Sequence, residues 1–184
     1  IARARAATER QPHIDSAVPV HLPLTLFPGR HSRYDAGHRI YRGMPIMILS
    51  IAEAETLVAT TLEKNRVSAA NAASVARALV AAEAAGQGGH GLRRVEAYSL
   101  QARAGKVDGF ATPVLTESRP GVLKVDAGLG FAYPALDLAV PRLAVMARQQ
   151  GIALAAISRS HHAGVLALTV ERLAEQGLVA LMVA

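Results

Sequence analysis

Two histidine motifs, far apart in the chain, carry the residue types best suited to chemistry. One is Gly-Gly-His-Gly-Leu-Arg-Arg at 88–94, and the other is Ser-His-His-Ala-Gly at 160–164. Neutral imidazole exchanges a proton near pH 7, and a guanidinium holds a carboxylate in a two-pronged geometry. A site that combines them suits proton transfer on a small organic acid. The elements between the motifs must then bring them together.

The first motif also has structural explanations. The glycines of 86–91 follow an Ala-rich helical segment and can end that helix. They match the G-x-G-x-x-G string of dinucleotide-binding loops, but such a loop needs a preceding strand, so a Rossmann site is not predicted. If His90 opens the next helix, it lies four residues before Arg94 and on the same face.

The second motif has a simpler interpretation as well. Of the adjacent His161 and His162, one ring can pack in the core while the other faces solvent at a strand-to-helix turn. The chain has no Cys, and no carboxylate accompanies the histidines at metal-ligand spacing. No metal site is therefore predicted.

Length and composition bound the class of protein. The chain has 184 residues, of which 51% are hydrophobic, enough for one ordinary domain with a buried core. Disulfides are excluded because Cys is absent, and no apolar run reaches the roughly 18 residues that a membrane span needs. No secretory signal pattern opens the chain. We therefore expect no membrane association and a cytoplasmic protein.

The first 43 residues differ from the rest. Residues 1–43 hold seven Arg against three acidic residues, together with four Pro and four His, and show no sustained periodicity. This pattern predicts an irregular or disordered extension, although the apolar stretch at 18–24 can lie along a surface or pair at a sheet edge. Charges in 44–184 are nearly balanced, and no basic stripe is interleaved with aromatic rings. Nucleic-acid binding is therefore not predicted.

From residue 44 onward, helices precede strands. Ser50 and Ser68 are placed as N-caps of a helical hairpin, and the hairpin and its following helix form a helical segment over 44–110. Residues 111–184 then read as the start of an α/β domain. Its predicted elements are strands at 112–116, 122–125, 152–157 and 178–183 and helices at 134–150 and 165–176, after a third helix at 92–104. Pro141 is expected to kink or restart the long helix. The last strand has no turn after it, which predicts an incomplete domain.

Over about 44–184 the chain resembles the malate/L-lactate dehydrogenase family, which includes ureidoglycolate and sulfolactate dehydrogenases and piperideine-carboxylate reductases. The resemblance is carried by His-Gly-Leu-x-Arg at 90–94, Tyr-x-x-x-x-x-Ala-Gly-Lys-Val-Asp-Gly at 98–109, Val-Asp-Ala-Gly-Leu-Gly at 125–130 and the motif at 160–164. It implies an α/β fold with a mixed sheet, a non-Rossmann NAD(P)-dependent dehydrogenase fold that is here incomplete, and a homodimer.

The resemblance also implies roles for single residues. His162 would be the proton acceptor and donor opposite the hydride, and Arg94 would hold the substrate carboxylate. His90 would be a second catalytic residue that lines the site near substrate and nicotinamide. His90, Ala163 and Gly164 would contact the cofactor, which is NAD or NADP. The implied reaction transfers a hydride between this cofactor and a small 2-hydroxy or 2-keto acid such as malate or lactate.

Departures from the family pattern keep other functions open. The family commonly has Asp-Ser where this chain has Gly88-Gly89, so a hydroxyl beside His90 is lost, and it often has an aromatic residue where this chain has Ala163. One alternative is an inactive fragment or small-molecule-binding remnant, and another is a cyclic imino-acid reductase. A third is a basic-tailed interaction protein that works through 1–43, whose binding would collapse with salt.

Overall fold

Helices and two small sheets make up the fold of the chain. The structure, a computed structural model, describes residues 17–20 and 47–184. In chain order these contain β1 (Ala17–Val20), β2 (Met47–Ser50), α1 (Ile51–Glu63), α2 (Ala69–Ala84), α3 (Arg94–Arg103), β3 (Val114–Arg119), β4 (Val122–Asp126), α4 (Ala132–Gln150), β5 (Leu154–Ser158) and α5 (Leu166–Ala174).

The larger sheet is mixed. Its strand order is β3-β4-β5, with β3 antiparallel and β5 parallel to the central β4. The helix α4 makes the crossover from β4 to β5, which a parallel pair requires. The predicted α/β class with a mixed sheet is therefore confirmed.

Capping serines start the first two helices. The Ser50 hydroxyl accepts a hydrogen bond from the Glu53 main-chain N–H, while the Glu53 carboxylate accepts one from the Ser50 main-chain N–H at 2.8 Å, a complete capping box. The Ser68 hydroxyl likewise accepts from the main-chain N–H of Asn71. Both predicted N-caps are confirmed, because local side-chain hydrogen bonds decide where these helices begin.

One hydrophobic core joins the helical part to the α/β part. Leu62 of α1 and Leu79 of α2 are fully buried, and they share a cluster with Tyr98, Phe131 and Leu136 from later elements. Each large apolar side chain buried in this way stabilises the fold by about 1.5–3 kcal/mol. The hairpin therefore does not stand apart from the sheet.

Asn71 ties α2 to the connection between α3 and β3. Its buried Nδ2 donates to the main-chain oxygens of Gly109 and Ala111, both at 2.9 Å. A Cβ at Gly109 would lie 2.2 Å from the main-chain oxygen of Arg66, so only glycine permits this close approach.

Part of the extension pairs as a strand. Residues 17–20 form β1 and pair antiparallel with β2, in the register Ala17↔Ser50. Of the two alternatives that the sequence allowed for the apolar stretch, the structure shows the pairing at a sheet edge. The rest of 1–43, and the boundary predicted at residue 43, lie outside the described residues.

Two helices differ from their predicted form. Pro141 lies inside α4 without ending it, so the helix is continuous from Ala132 to Gln150. The third helix begins at Arg94 rather than Leu92. In the described part of the chain, no helix has the length and apolar character needed to cross a membrane.

The predicted strand at 178–183 is absent from both sheets. Its residues alternate in burial as a strand's do. Leu178 and Ala180 pack against a buried cluster that includes Leu173, whereas Val179 and Leu181 are exposed. Within the described residues no neighbouring strand supplies ladder hydrogen bonds to the segment. The prediction was therefore wrong, because it rested on a continuous apolar run, which indicates burial and does not indicate pairing.

Replacing Asn71 with Ala tests the link between α2 and the connection to β3. We expect Asn71→Ala to lower the free energy of unfolding by about 2 kcal/mol, because two carbonyl groups lose their buried donor. Asn65→Ala is the matched control, since the Asn65 amide donates to the main-chain oxygen of Thr61, a local contact at the end of α1. Urea unfolding measures both, and equal losses in the two variants would contradict this role of Asn71.

Candidate active site

The loops that follow β4 and β5 lie side by side and are connected by main-chain hydrogen bonds. These bonds fix the position of the second histidine motif. Residues 127–130 follow β4, and residues 159–164 follow β5. Three main-chain hydrogen bonds connect this edge of the sheet: Ala127 N to Ser158 O at 2.9 Å, Leu129 N to Arg159 O at 2.7 Å and His161 N to Gly130 O at 2.9 Å. The Val-Asp-Ala-Gly-Leu-Gly motif therefore supports the histidine loop.

Asp126 holds both loops. Its carboxylate accepts hydrogen bonds from Nε of Arg159 at 2.8 Å and from the main-chain N–H of Gly128 at 2.9 Å. Both hydrogen bonds lower the pKa of Asp126 below its ordinary value, and the one from Arg159 has the larger effect. In the sequence, Asp126 stood out only as part of the motif at 125–130, and its role in joining the loops was not predicted.

The two adjacent histidines have different environments. The His161 ring meets Tyr98 edge-on at a centroid distance of 5.0 Å and Phe131 at 5.8 Å. His162 is the more exposed of the two. One ring packs and the other reaches solvent, which leaves His162 as the histidine that a ligand can approach.

The structure brings the first motif onto the second. The rings of His90 and His162 are stacked, with centroids 5.3 Å apart and planes 9° from parallel. His90 lies in a turn before α3, where its main-chain N–H donates to Gln87 at 2.8 Å. The expectation that His90 and Arg94 share a helix face was therefore wrong, since Arg94 is the first residue of α3.

Glu83 shapes the turn that carries His90. Its carboxylate accepts a hydrogen bond from the main-chain N–H of Leu92 at 2.8 Å. A Cβ at Gly91 would lie 2.3 Å from that carboxylate and 2.9 Å from the Glu83 main-chain nitrogen. In the sequence, only the glycine at 91 indicates a close approach at this turn. Glu83 was not predicted, because no sequence pattern connects it with the turn.

Arg94 is folded back toward the same turn. Its Nε donates to the main-chain oxygen of Gly89 at 2.7 Å, and its terminal nitrogens make no hydrogen bond to the described residues. The Arg94 charge acts on both His161 and His162, where it lowers the pKa of each ring. A half-buried guanidinium in this position can bind a carboxylate through its terminal nitrogens.

Tyr98, Tyr133 and Gly164 surround the inner side of His162. The Tyr98 hydroxyl lies 3.0 Å from Nδ1 of His162 and 3.5 Å from the Tyr133 hydroxyl, and the Gly164 main-chain N–H donates to the same Nδ1 at 3.2 Å. Gly164 has φ +66°, and a Cβ there would lie 2.4 Å from the Tyr133 hydroxyl. Packing thus explains the glycine at 164, and a cofactor contact at Gly164 or Ala163 stays a prediction.

Burial favours the neutral forms of three groups in the site, which are His161, His162 and Tyr98. The pKa of His162 is lowered mainly by burial, and less by the charges of Arg94 and His90. The pKa of His161 is also lowered mainly by burial, with smaller effects of His162, Lys106 and Arg94. Burial also raises the pKa of Tyr98. At neutral pH these shifts favour the uncharged forms of His161, His162 and Tyr98 beside the positive charge of Arg94. Across residues 47–184, no three His, Asp or Glu side chains are arranged to hold a metal ion.

Comparison with known proteins identifies the family. The family described as malate/L-lactate dehydrogenase matches residues 49–184, which is most of the chain. The chain belongs to the malate/L-lactate dehydrogenase family. A (2R)-3-sulfolactate dehydrogenase (NADP(+)) of Chromohalobacter salexigens is 44% identical over 134 residues, which cover 73% of this chain and 40% of that protein. A Δ1-pyrroline-2-carboxylate/Δ1-piperideine-2-carboxylate reductase of Pseudomonas putida is 38% identical over 138 residues, covering 75% of this chain and 40% of the relative.

Solved structures of the malate/L-lactate dehydrogenase family share the fold. The crystal structure of Δ1-piperideine-2-carboxylate reductase from Pseudomonas syringae pv. tomato superposes with a TM-score of 0.68 at 35% identity, covering 70% of this chain and 39% of that one. Malate dehydrogenase from Entamoeba histolytica superposes with a TM-score of 0.65 at 22% identity, covering 70% and 36%, which shows the fold alone. The chain spans about 40% of the length of the curated relatives named above.

Two glycines of the first motif give a matched test of the turn. We expect Gly91→Ala to lower the free energy of unfolding by about 1–3 kcal/mol, because its methyl group collides with Glu83. Gly89→Ala is the control, since nothing lies within 4 Å of a Cβ built at Gly89. Urea unfolding compares the variants, and a Gly91→Ala protein as stable as Gly89→Ala would refute the close packing of Gly91 on Glu83.

The lowered pKa values of His161 and His162 predict how stability depends on pH. From about pH 6.5 downward the unfolded chain binds protons that the folded histidines resist, so the free energy of unfolding should fall as pH falls from 7 to 5. His161→Phe keeps an aromatic ring against Tyr98 and should flatten this dependence. Denaturant unfolding at several pH values measures it, and an unchanged slope in His161→Phe would count against the burial of a neutral His161.

Proposed function

We propose that the protein to which this chain belongs is an NAD(P)-dependent oxidoreductase that transfers a hydride between the nicotinamide and C2 of a small 2-hydroxy or 2-keto acid. The observation that carries the proposal is the stacking of His90 on His162 within reach of the Arg94 charge. These residues come from two distant motifs, and the fold assembles them at one edge of the sheet. The names of the relatives in the family support the reaction class.

The proposed roles follow from the chemistry of each group. Arg94 binds the substrate carboxylate through its terminal nitrogens, which orients C2. His162, the more exposed histidine, exchanges a proton with the oxygen on C2. His90 lies flat against the His162 ring and lines the same site. A neutral imidazole with a lowered pKa keeps the site free of a second positive charge beside Arg94.

The nicotinamide fits one feature of the site. Nδ1 of His90 is buried and has no hydrogen-bond partner among the described residues. The carboxamide of a nicotinamide is a donor that can satisfy such an atom. When bound, the nicotinamide supplies or accepts the hydride. We propose contacts from His90, Ala163 and Gly164, and either NAD or NADP as the cofactor, with NADP favoured by the name of the sulfolactate relative.

A cyclic imino-acid reductase is the second candidate. The Pseudomonas putida relative carries this activity in its name, and so does the solved structure from Pseudomonas syringae. Such substrates also present a carboxylate for Arg94 and a C2 atom that receives a hydride. The proposal therefore specifies the reaction class, with the group at C2 to be decided by experiment.

Activity, assembly and location of the whole protein are part of the proposal. We propose a homodimer, as the family resemblance implies, and a cytoplasmic location. Because the chain spans about 40% of the length of its relatives, an inactive fragment or a binding remnant is the competing outcome. Binding through the basic residues 1–43 stays a separate prediction, and most of that segment lies outside the described residues.

Arginine-to-lysine substitutions test the carboxylate site. We expect Arg94→Lys to raise KM for a 2-keto acid such as pyruvate or oxaloacetate by about tenfold or more, because lysine keeps the charge and loses the planar pair of donors. Arg93→Lys is the matched control, since Arg93 is exposed and adjacent. The assay follows oxidation of NADPH and NADH at 340 nm, with Δ1-piperideine-2-carboxylate tested in parallel.

The outcomes separate the candidates. A higher rate with the keto acids than with the cyclic imino acid supports the 2-hydroxy-acid dehydrogenase, and the reverse supports the reductase. If a folded chain neither binds NADPH by nicotinamide fluorescence nor turns over any of these acids, the chain is a remnant. An equal KM in Arg94→Lys and Arg93→Lys would remove the role proposed for Arg94.

A further inference from the structure

The hydrogen bonds around His162 decide which of its ring nitrogens carries the hydrogen. The Gly164 main-chain N–H points at Nδ1 from 3.2 Å, and a main-chain N–H can only donate. Nδ1 must therefore be the accepting, unprotonated nitrogen. The neutral His162 ring then carries its hydrogen on Nε2, which makes no hydrogen bond to the described residues.

The Tyr98 hydroxyl enforces the same arrangement. Its oxygen lies 3.0 Å from Nδ1 of His162, and two lone pairs facing each other at that distance would repel. The hydroxyl therefore donates its hydrogen to Nδ1. Its oxygen remains free to accept a hydrogen from Tyr133, whose hydroxyl lies 3.5 Å away.

Tyr98 is itself held firmly in place. Its side chain is 2% exposed, and its ring packs on Phe131 at a centroid distance of 5.5 Å and on the edge of His161 at 5.0 Å. Burial raises the pKa of Tyr98, so the hydroxyl keeps its hydrogen across the physiological range. A rigid, protonated phenol is a suitable partner for orienting an imidazole.

We propose that Tyr98 is a positioning residue that, with the Gly164 main-chain N–H, holds neutral His162 in the Nε2–H tautomer and so turns a hydrogen-bond donor toward the ligand. Tyr98 acts through His162 and does not touch the substrate. The same two contacts set the tilt of the ring and keep it parallel to His90.

The tautomer has a consequence for the substrate, which rests on the proposed function. The ligand atom that faces Nε2 must accept a hydrogen bond, as the oxygen of a 2-oxo acid does. A protonated cyclic imine presents an N–H at the corresponding position, and two donors facing each other are unfavourable. The Nε2–H group also stabilises the negative charge that develops on the oxo oxygen as the hydride arrives at C2. The proton that completes the alcohol is drawn from solvent through the exposed His162 ring, so the neutral ring is not left as an imidazolate. The tautomer therefore favours 2-oxo acids over protonated cyclic imino acids.

The tautomer is measured directly by nitrogen NMR on the 184-residue chain, without any ligand or turnover. Long-range proton–nitrogen spectra of the chain labelled with ¹⁵N-histidine, at a pH above the histidine pKa values, distinguish Nε2–H from Nδ1–H in each ring. We expect His162 in the Nε2–H form. In Tyr98→Phe the ratio of Nδ1–H to Nε2–H in His162 should rise about fivefold, the change that one hydrogen bond of ordinary strength supports.

Tyr133→Phe is the matched control. It removes the same hydroxyl group from the neighbouring phenol, which makes no hydrogen bond to His162 in the described part of the chain, so the His162 tautomer should stay as in the unmodified chain. A merely structural role of Tyr98 would disturb the signals of His90 and His161 as well, whereas the proposal predicts a change confined to His162. A His162 ring in the Nδ1–H form, or an equal tautomer ratio in Tyr98→Phe and the unmodified chain, would overturn the proposal.

The substrate consequence has its own readout. With Tyr98 intact, the preference for pyruvate over Δ1-piperideine-2-carboxylate, as the ratio of kcat/KM, should increase as pH falls and the imine becomes protonated. A constant or reversed preference would overturn the substrate assignment and leave the tautomer result in place. Because the NMR measurement needs no catalysis, an inactive chain contradicts the proposed function without affecting the test of Tyr98.

Discussion

The buried Tyr98 side chain is the contact on which the candidate site depends. Tyr98 lies in α3, within the helical part, and its ring packs on Phe131 and His161 from the α/β part. Its hydroxyl is hydrogen-bonded to Nδ1 of His162. The hydrophobic effect fixes the ring, and the fixed ring in turn fixes the direction of the hydroxyl group. One side chain therefore couples the core to the chemistry.

Main-chain geometry supplies the rest of the site. The turn that carries His90 fits against α2 only because Gly91 has no side chain, and the loop that carries His162 fits against Tyr133 only because Gly164 has none. At both positions a glycine lets two segments approach within van der Waals distance. The two histidines are thus placed by backbone packing, and their side chains need little freedom to meet. Such rigidity suits a site in which a hydride donor, an acceptor and a proton must be aligned.

The sequence was sufficient for features that local physics determines. The caps at Ser50 and Ser68 were predictable because a serine hydroxyl satisfies the first N–H groups of the helix that follows it. The mixed sheet followed from the family resemblance. Pro141 was expected to kink or restart α4, and the helix does not restart, because packing against the sheet and against α2 outweighs one missing hydrogen bond.

The sequence was not sufficient for contacts between distant residues. The motif residues His90, Arg94 and His162 were predicted, but the stacking of the two rings depends on where α3 starts and on how the loop after β5 is tethered. Glu83 and Tyr133 gave no local signal, since their roles arise only when α2 and α4 bring them to the motifs. The unpaired segment at 178–183 shows the same limit, because a continuous apolar run indicates burial and does not indicate which strand pairs with it.

The central claim is that His90, Arg94 and His162 form one site for a small 2-oxo acid. The most direct measurement is an NMR titration of the chain, labelled with ¹⁵N-histidine and ¹⁵N-arginine, with oxamate in the presence of NADPH. Oxamate is an unreactive mimic of pyruvate, so it reports binding without turnover. The account predicts that the side-chain signals of Arg94 and His162 shift together along one binding curve, with a smaller change at His90 and little at the packed His161. Shifts confined to other residues, or no shift at saturating oxamate, would contradict it.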